Sequence, residues 1–256
     1  MTTDYATRVQ EALDLQLDAK HDALPSSFNK TRFSENCKAF VRENKDLHKH
    51  DVDDLAKVLF KGAVLGLDFL AKECHAITEG GLVKFQTDYK GEMTLVKRHS
   101  VRPILDIYAK NVREGDAFRE EVSEGKPLVH FAPLSFNNSR IVGTFAVALF
   151  QDGGMVYESL PAEEIEQIRQ HYGKNPNSDS WDKSQGEMYK RTALRRLCKT
   201  IATDFDADQR LAYEAGSLYE FNQEPRPIQR SPFNPAESLA ESEVTGNDGS
   251  AETEQG

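Results

Sequence analysis

Residues 141–160, IVGTFAVALFQDGGMVYESL, decide the fold. The run from Ile141 to Gln151 is rich in β-branched and aromatic residues, and Asp152-Gly153-Gly154 supplies the backbone freedom on which a strand reverses. MVYESL then returns with two-residue alternation, so the stretch reads as an antiparallel hairpin with one face against a core.

Working outward, Glu79-Gly80-Gly81 lies between two runs of strand formers, ECHAI and LVKFQ, and predicts a second hairpin. Val101 to Lys110 and the segment LVHFAPL read as further strands. Helices flank this β-rich middle. One is expected from a Ser34 cap through Cys37, Phe40 and Val41, and another from Asp51 through Leu55, Val58 and Leu59 to Gly66. Tyr89 to His99 reads as a helix despite Gly91, and Pro161 fits the first turn of a helix carrying Ile165 and Ile168. GKNPNSDS breaks the pattern before a long helix that starts near Ser180 and runs to about Thr203. Val9, Leu13 and Leu17 give the opening segment helical spacing, and LPSSFN separates it from the helix of Cys37 and Phe40. The expectation is an α+β fold: a central antiparallel sheet of hairpins flanked by helices, with a helical N-terminal arm (residues 1–32), a core (residues 33–221) and a disordered acidic C-terminal tail (residues 222–256).

The 256 residues are enough for one sizeable core. No stretch approaches the roughly 20 apolar residues of a membrane span, and MTTDYATRVQEALD lacks the basic and apolar regions of a signal peptide, so a cytoplasmic location is expected. Cys37, Cys74 and Cys198 are far apart, without a CxxC pair or zinc spacing, and read as buried reduced thiols. The net charge of −10 argues against a nucleic-acid partner only until its distribution is considered. From Asn222 onward seven acidic residues face two arginines, which accounts for about half of that excess. Within the remainder, Lys84 to Arg113 and Lys183 to Lys199 are plainly basic.

In GEMYKRTALRRLCKTIA, Leu194, Leu197, Cys198 and Ile201 share one helical face. Arg191, Arg195 and Lys199 at i, i+4 and i+8 predict a cationic stripe on another, with Arg196 beside it, at about the 6 Å spacing that suits successive phosphates. In DYKGEMTLVKRH, Lys90, Thr94, Lys97 and Arg98 share one side while Met93 and Val96 can face inward. Arg102, Lys110, Arg113 and Arg140 extend the patch if the strands lie beside these helices. Tyr89, Trp181 and Tyr189 border the basic helices as possible platforms for base stacking. The bland readings are a solvated helix face for the cations and core positions for the rings.

The order GLDFLAKECHAI, FQTDYKGEMTLVKRHS, VREGDAFREE, IVGTFAVALF and SWDKSQGEMYKRTALRRLCK resembles the RecT family over roughly Phe33 to Ile201. The most specific pieces are YKGEMTLVKR, similar to the family's Tyr-(Lys/Arg)-Gly helix, and Trp181 followed by Met188, Lys190, Thr192 and Arg195. His99-Ser100 departs from the family's usual small residue and Gly, and GLDFLAKECHAI has no Pro after its Gly-Leu. The resemblance implies a phage-type single-strand annealing protein that works without ATP, assembles as rings or filaments on single-stranded DNA, and acts beside a partner exonuclease. It also implies phosphate contacts at Lys90, Lys97, Arg98, Lys190, Arg191, Arg195 and Arg196. The acidic tail could compete with DNA for the basic groove, or dock that exonuclease or a host single-strand binding protein.

Competing chemistries lack their residues. EGKPL and YGKNP miss the first Gly and the Ser or Thr of a phosphate-cradling loop, so no nucleotide cofactor is expected. Glu43-Asn44-Lys45 has only the end of a metal-nuclease pattern, and the histidines show no HExxH or triad context, so neither a metal nor a hydrolytic active site is expected. A passive single-strand binding protein is the alternative; the predominance of Arg and Lys over clustered aromatics favours annealing, which needs base edges left open.

Overall fold

The computed structural model describes residues 4–172, 177, 181 and 183–217. Three helices come first: α1 (Tyr5–Ala19), α2 (Lys30–Glu43) and α3 (Val52–Leu65). The α3 boundaries follow from chemistry, since the Asp51 carboxylate accepts from the Asp53 and Asp54 N–H groups and Gly66 closes the helix in the left-handed region at φ 62°. α2 begins four residues earlier than the Ser34 cap expected from sequence, because the Asn29 side chain accepts from Arg32 N and Ser34 is buried inside the helix. α1 is helical as expected but is not a free arm. Val9, Leu13 and Leu17 are buried in one core with Leu55, Leu59 and Val41, and the Tyr5 hydroxyl donates to the His50 carbonyl at 2.7 Å.

The hairpin β1 (Cys74–Glu79) and β2 (Leu82–Thr87) turns on Gly80 and Gly81, both at positive φ. α4 (Tyr89–His99) comes next, capped by Asp88. A three-stranded antiparallel sheet of order β3 (Ile104–Arg113), β6 (Ile141–Phe150) and β7 (Met155–Pro161) forms the centre. Between β3 and β6 the chain makes a separate hairpin, β4 (Ala117–Ser123) and β5 (Lys126–Ala132). The expected strand LVHFAPL is β5, while the pairing of β4 with it lay outside the sequence reading. Helices α5 (Ala162–Tyr172), α6 (Gln185–Thr200) and α7 (Ala207–Ser217) complete the described fold. Of GKNPNSDS only Asn177 is described, and the segment 222–256 lies outside the described residues.

Alternation along β6 builds two layers. Ala146 and Ala148 face α6, where small side chains let the helix approach, and Phe145 and Val147 face the β4–β5 hairpin with Phe118 and Phe131. α4 joins this layered half to the N-terminal helices: neighbouring Leu95 and Val96 are buried in different cores. Cys37, Cys74 and Cys198 are buried free thiols, and burial pushes each of them above the ordinary thiol range. No described helix is long and apolar enough to cross a membrane.

The glycine that interrupts α4 has a steric reason. A Cβ at Gly91 would sit inside contact distance of the Glu73 carbonyl oxygen and close to Leu67. Gly91→Ala is therefore expected to destabilise the protein by about 1–3 kcal/mol in denaturant unfolding, although alanine is the better helix former. An unchanged midpoint would mean that this contact is not close-packed.

Candidate nucleic-acid interface

α4 and α6 run side by side in the same direction. Where α4 begins, midway along α6, the Arg191 guanidinium meets the Asp88 carboxylate at 3.0 Å and lies over the Tyr89 ring, 5.7 Å from its centroid. One turn on, Arg195 Nη2 donates to Glu92 Oε1 at 3.0 Å. Past the helix ends, Ser100 and Thr203 form an isolated β-bridge.

Asp88 anchors the first of these contacts. It caps α4 by accepting from Lys90 N, and His75 Nε2 lies 3.5 Å from its other oxygen. Burial raises the pKa of this carboxyl, but His75 and the Arg191 charge outweigh that and hold it below the usual range.

Arg195 and Glu92 are both fully buried, which corrects the expectation of a continuous cationic stripe. The spacing of Arg191, Arg195 and Lys199 is that of one helical face, but α4 covers it at Arg195, leaving Arg191 half-buried and Lys199 exposed. Thr87 Oγ1 donates to the same Glu92 oxygen at 2.8 Å and also reaches the Gly216 carbonyl of α7 at 3.4 Å. Arg195 is thus held inside the protein and does not reach a phosphate in this conformation.

Trp181 and Tyr189 are also core residues, so they offer no face to a base. They pack edge to face at 6.5 Å, and the Tyr189 hydroxyl donates to Glu166 Oε1 at 2.7 Å, with burial and that hydrogen bond pushing its pKa far up. Tyr89 is half-buried beneath Arg191.

The other expected cations fall into groups rather than one patch. Lys90 and Lys97 are exposed on α4, seven residues and about 10 Å apart on one side, and make no ion pair among the described residues. Arg98 is exposed beside them and donates to the Gly66 carbonyl at 3.0 Å. Lys190 pairs with Glu187, Lys199 donates to the Ser217 carbonyl at 3.1 Å, and Arg196 turns away to Glu158 and Glu164 beside β7 and α5. Arg102 forks onto Asp152 with both contacts at or below 3.0 Å, clamping the β6–β7 turn. Lys110 points to the opposite side of the sheet from α6, lining a cavity of about 500 Å³ with Tyr108 and Phe131. Arg113 and Arg140 stand at the far end of β3, roughly 30 Å from its Arg102 end at strand rise. There Arg113 donates to the Ser139 carbonyl and Arg140 pairs with Glu114.

One cation was missed in the sequence. Arg32, at the start of α2, lines a cavity of about 320 Å³ with Arg98, His99, Asn29, Phe28 and the acidic Asp68. A lone Arg in a helix carries no signal by itself; only the fold puts it opposite Arg98. The resulting surface combines α4 cations, the half-buried Arg191 and this two-arginine cavity, an arrangement suited to phosphates and poor in exposed rings.

The core is α+β, and its paired helices leave Lys90 and Lys97 exposed on α4. Comparison with known families matches residues 31–228 to the RecT family, and the chain belongs to that family. It is also similar to Protein RecT of Escherichia coli (strain K12), at 30% identity over 126 residues, a match that takes in 49% of this chain and 45% of that protein.

Breaking the buried pair should be costly in a way that losing a surface pair is not. Arg195→Met or Glu92→Leu alone should destabilise by about 3–5 kcal/mol, since each strands a buried charge, whereas the double substitution should recover most of the loss. Denaturant unfolding of all four proteins measures this; additive losses would show that the two side chains act independently.

Proposed function

We propose that the protein binds single-stranded DNA through phosphate contacts and anneals complementary strands without nucleotide hydrolysis, as an oligomer acting in phage-type recombination. Family membership supports the class. The observation that carries the reading to this site is that Lys90 and Lys97 stand exposed, without an ion pair among the described residues, on the helix that Arg195 and Glu92 fix in place. Neutralising phosphates along one strand lowers the Coulomb barrier to a second, and Watson–Crick pairing then supplies the specificity.

The contacts proposed are Lys90, Lys97 and Arg98, with Arg32 and Arg191 beside them. Lys190, Lys199, Arg102, Lys110, Arg113, Arg140 and Arg196 would contribute where a strand displaces their present carboxylate or carbonyl partners or tracks around the sheet. For Arg140 the cost is small, because exposed ion pairs are weak. With Trp181 and Tyr189 buried, two of the three candidate stacking platforms are withdrawn, so phosphate contacts dominate the proposed binding at these helices. The acidic segment 222–256 is the proposed docking site for an exonuclease or a single-strand binding protein.

Lys90→Ala/Lys97→Ala should weaken single-strand binding and slow pairing of complementary fluorescent oligonucleotides, with the unfolding midpoint unchanged. The slope of log affinity against log salt should fall by about 0.7 for each phosphate that is no longer neutralised. Tight binding by the unmodified protein without accelerated pairing would support passive coating instead. A salt-independent affinity would contradict phosphate recognition altogether.

A further inference from the structure

Phe136 stands fully exposed in the loop between β5 and β6, with φ 55°, a left-handed conformation that a bulky side chain adopts at a cost. A lone exposed aromatic needs no explanation in itself. What sets this one apart is the set of bonds that holds it out. The Asp116 carboxylate accepts from Leu134 N at 2.9 Å and from the Asn137 side-chain amide at 2.8 Å, one residue or two on either side of the ring. That amide also donates to the Glu114 carbonyl, Asn137 Oδ1 accepts from Ser139 N, and the Arg113 guanidinium grips the Ser139 carbonyl. The ring is therefore presented on a loop pinned on both sides, and the ordering entropy of the loop is already met before any ligand arrives.

We propose that Phe136 is a base-stacking residue, which takes the face of one nucleobase of bound single-stranded DNA while Arg113 and Arg140 at the root of the loop take adjacent phosphates. The assignment rests on the single-strand binding reading above and adds to it a second contact region, at the far end of β3 from Arg102. Size decides between a base and a protein partner. One phenyl ring buries about 150–250 Å², and even with the exposed Leu134 nearby it falls well short of the roughly 800 Å² per partner of a stable protein interface, while Ser135, Asn137, Asn138 and Ser139 are polar. A single ring suffices for a base, and the guanidinium groups at the root of the loop complement phosphates of the same strand. The exposed pair of Arg140 with Glu114 is weak enough to be exchanged for a phosphate. Stacking engages the face of the base and leaves its pairing edge open, so it is compatible with annealing.

The test compares the full-length protein with Phe136→Ala and Phe136→Trp on a mixed-sequence oligodeoxynucleotide. Because the ring is fully exposed, all three should share one unfolding midpoint or nearly so. Phe136→Ala should weaken strand binding about 5- to 150-fold with the salt slope unchanged, since a stacked ring releases no counterions. Phe136→Trp should keep wild-type affinity, and its added indole fluorescence should be quenched by the oligonucleotide. Equal binding by wild type and Phe136→Ala overturns the assignment and leaves phosphate binding by α4 standing. Loss of self-association by Phe136→Ala in the absence of DNA, read by mass photometry, overturns it in favour of a protein contact. Failure of the wild type to bind any single strand overturns both this assignment and the reading on which it rests.

Discussion

Burying an arginine and a glutamate together is expensive, because both must leave water, and the attraction between them offsets that cost only when the geometry is good. Arg195 and Glu92 meet through a 3.0 Å contact that their positions on α6 and α4 set. They sit one turn past the Arg191–Asp88 contact on parallel helices, and Thr87 supplies a further donor to the shared carboxylate oxygen. The pair therefore fixes the register of α4 on α6, and with it the relation between the N-terminal helical core and the sheet. Lys199 and Thr87, reaching the last carbonyls of α7, tie the third helix to the same junction. Without this constraint α4 would be an 11-residue helix packed by few apolar side chains, too short to hold cations at set positions by itself.

The surface chemistry derives from that junction. Met93, Leu95 and Val96 face inward, so Lys90 and Lys97 are left on the outer side, with Arg98 at the end near Gly66. Tyr89 and Arg191 fill the notch between the two helices. Elsewhere the expected cations are largely engaged with carboxylates or carbonyls, and the sheet divides them: Lys110 on one side, α6 on the other, Arg113 and Arg140 at the far end. A strand that touched all of them would have to travel around the molecule rather than along one face.

Local signals made much of the fold legible. Gly80-Gly81 and Asp152-Gly153-Gly154 announced their hairpins, Asp51 and Gly66 bounded α3, and Tyr89 to His99 was read as a helix to the residue. What sequence could not show was which side of a helix would be covered. Arg191, Arg195 and Lys199 have the spacing of an exposed stripe, and nothing local distinguishes a stripe facing water from one facing a buried carboxylate on another helix; Glu92 lies 103 residues away. Trp181 and Tyr189 border basic residues in sequence while pointing into the core beside Ile165. α1 was separated by a clear break yet packs its apolar face on α2 and α3, because a break marks a turn and not the absence of contact. Phe136 and Arg32 became candidates only once the fold showed their exposure and their neighbours.

The central claim is that the α4–α6 junction presents its outer cations to a single strand while its inner pair stays structural. Lysine acylation read by mass spectrometry, with and without a saturating oligonucleotide, tests it most directly. The account predicts strong protection of Lys90 and Lys97, with Lys57 and Lys61 on α3 labelled equally in both states. Unchanged labelling at Lys90 and Lys97, with protection elsewhere, would contradict it.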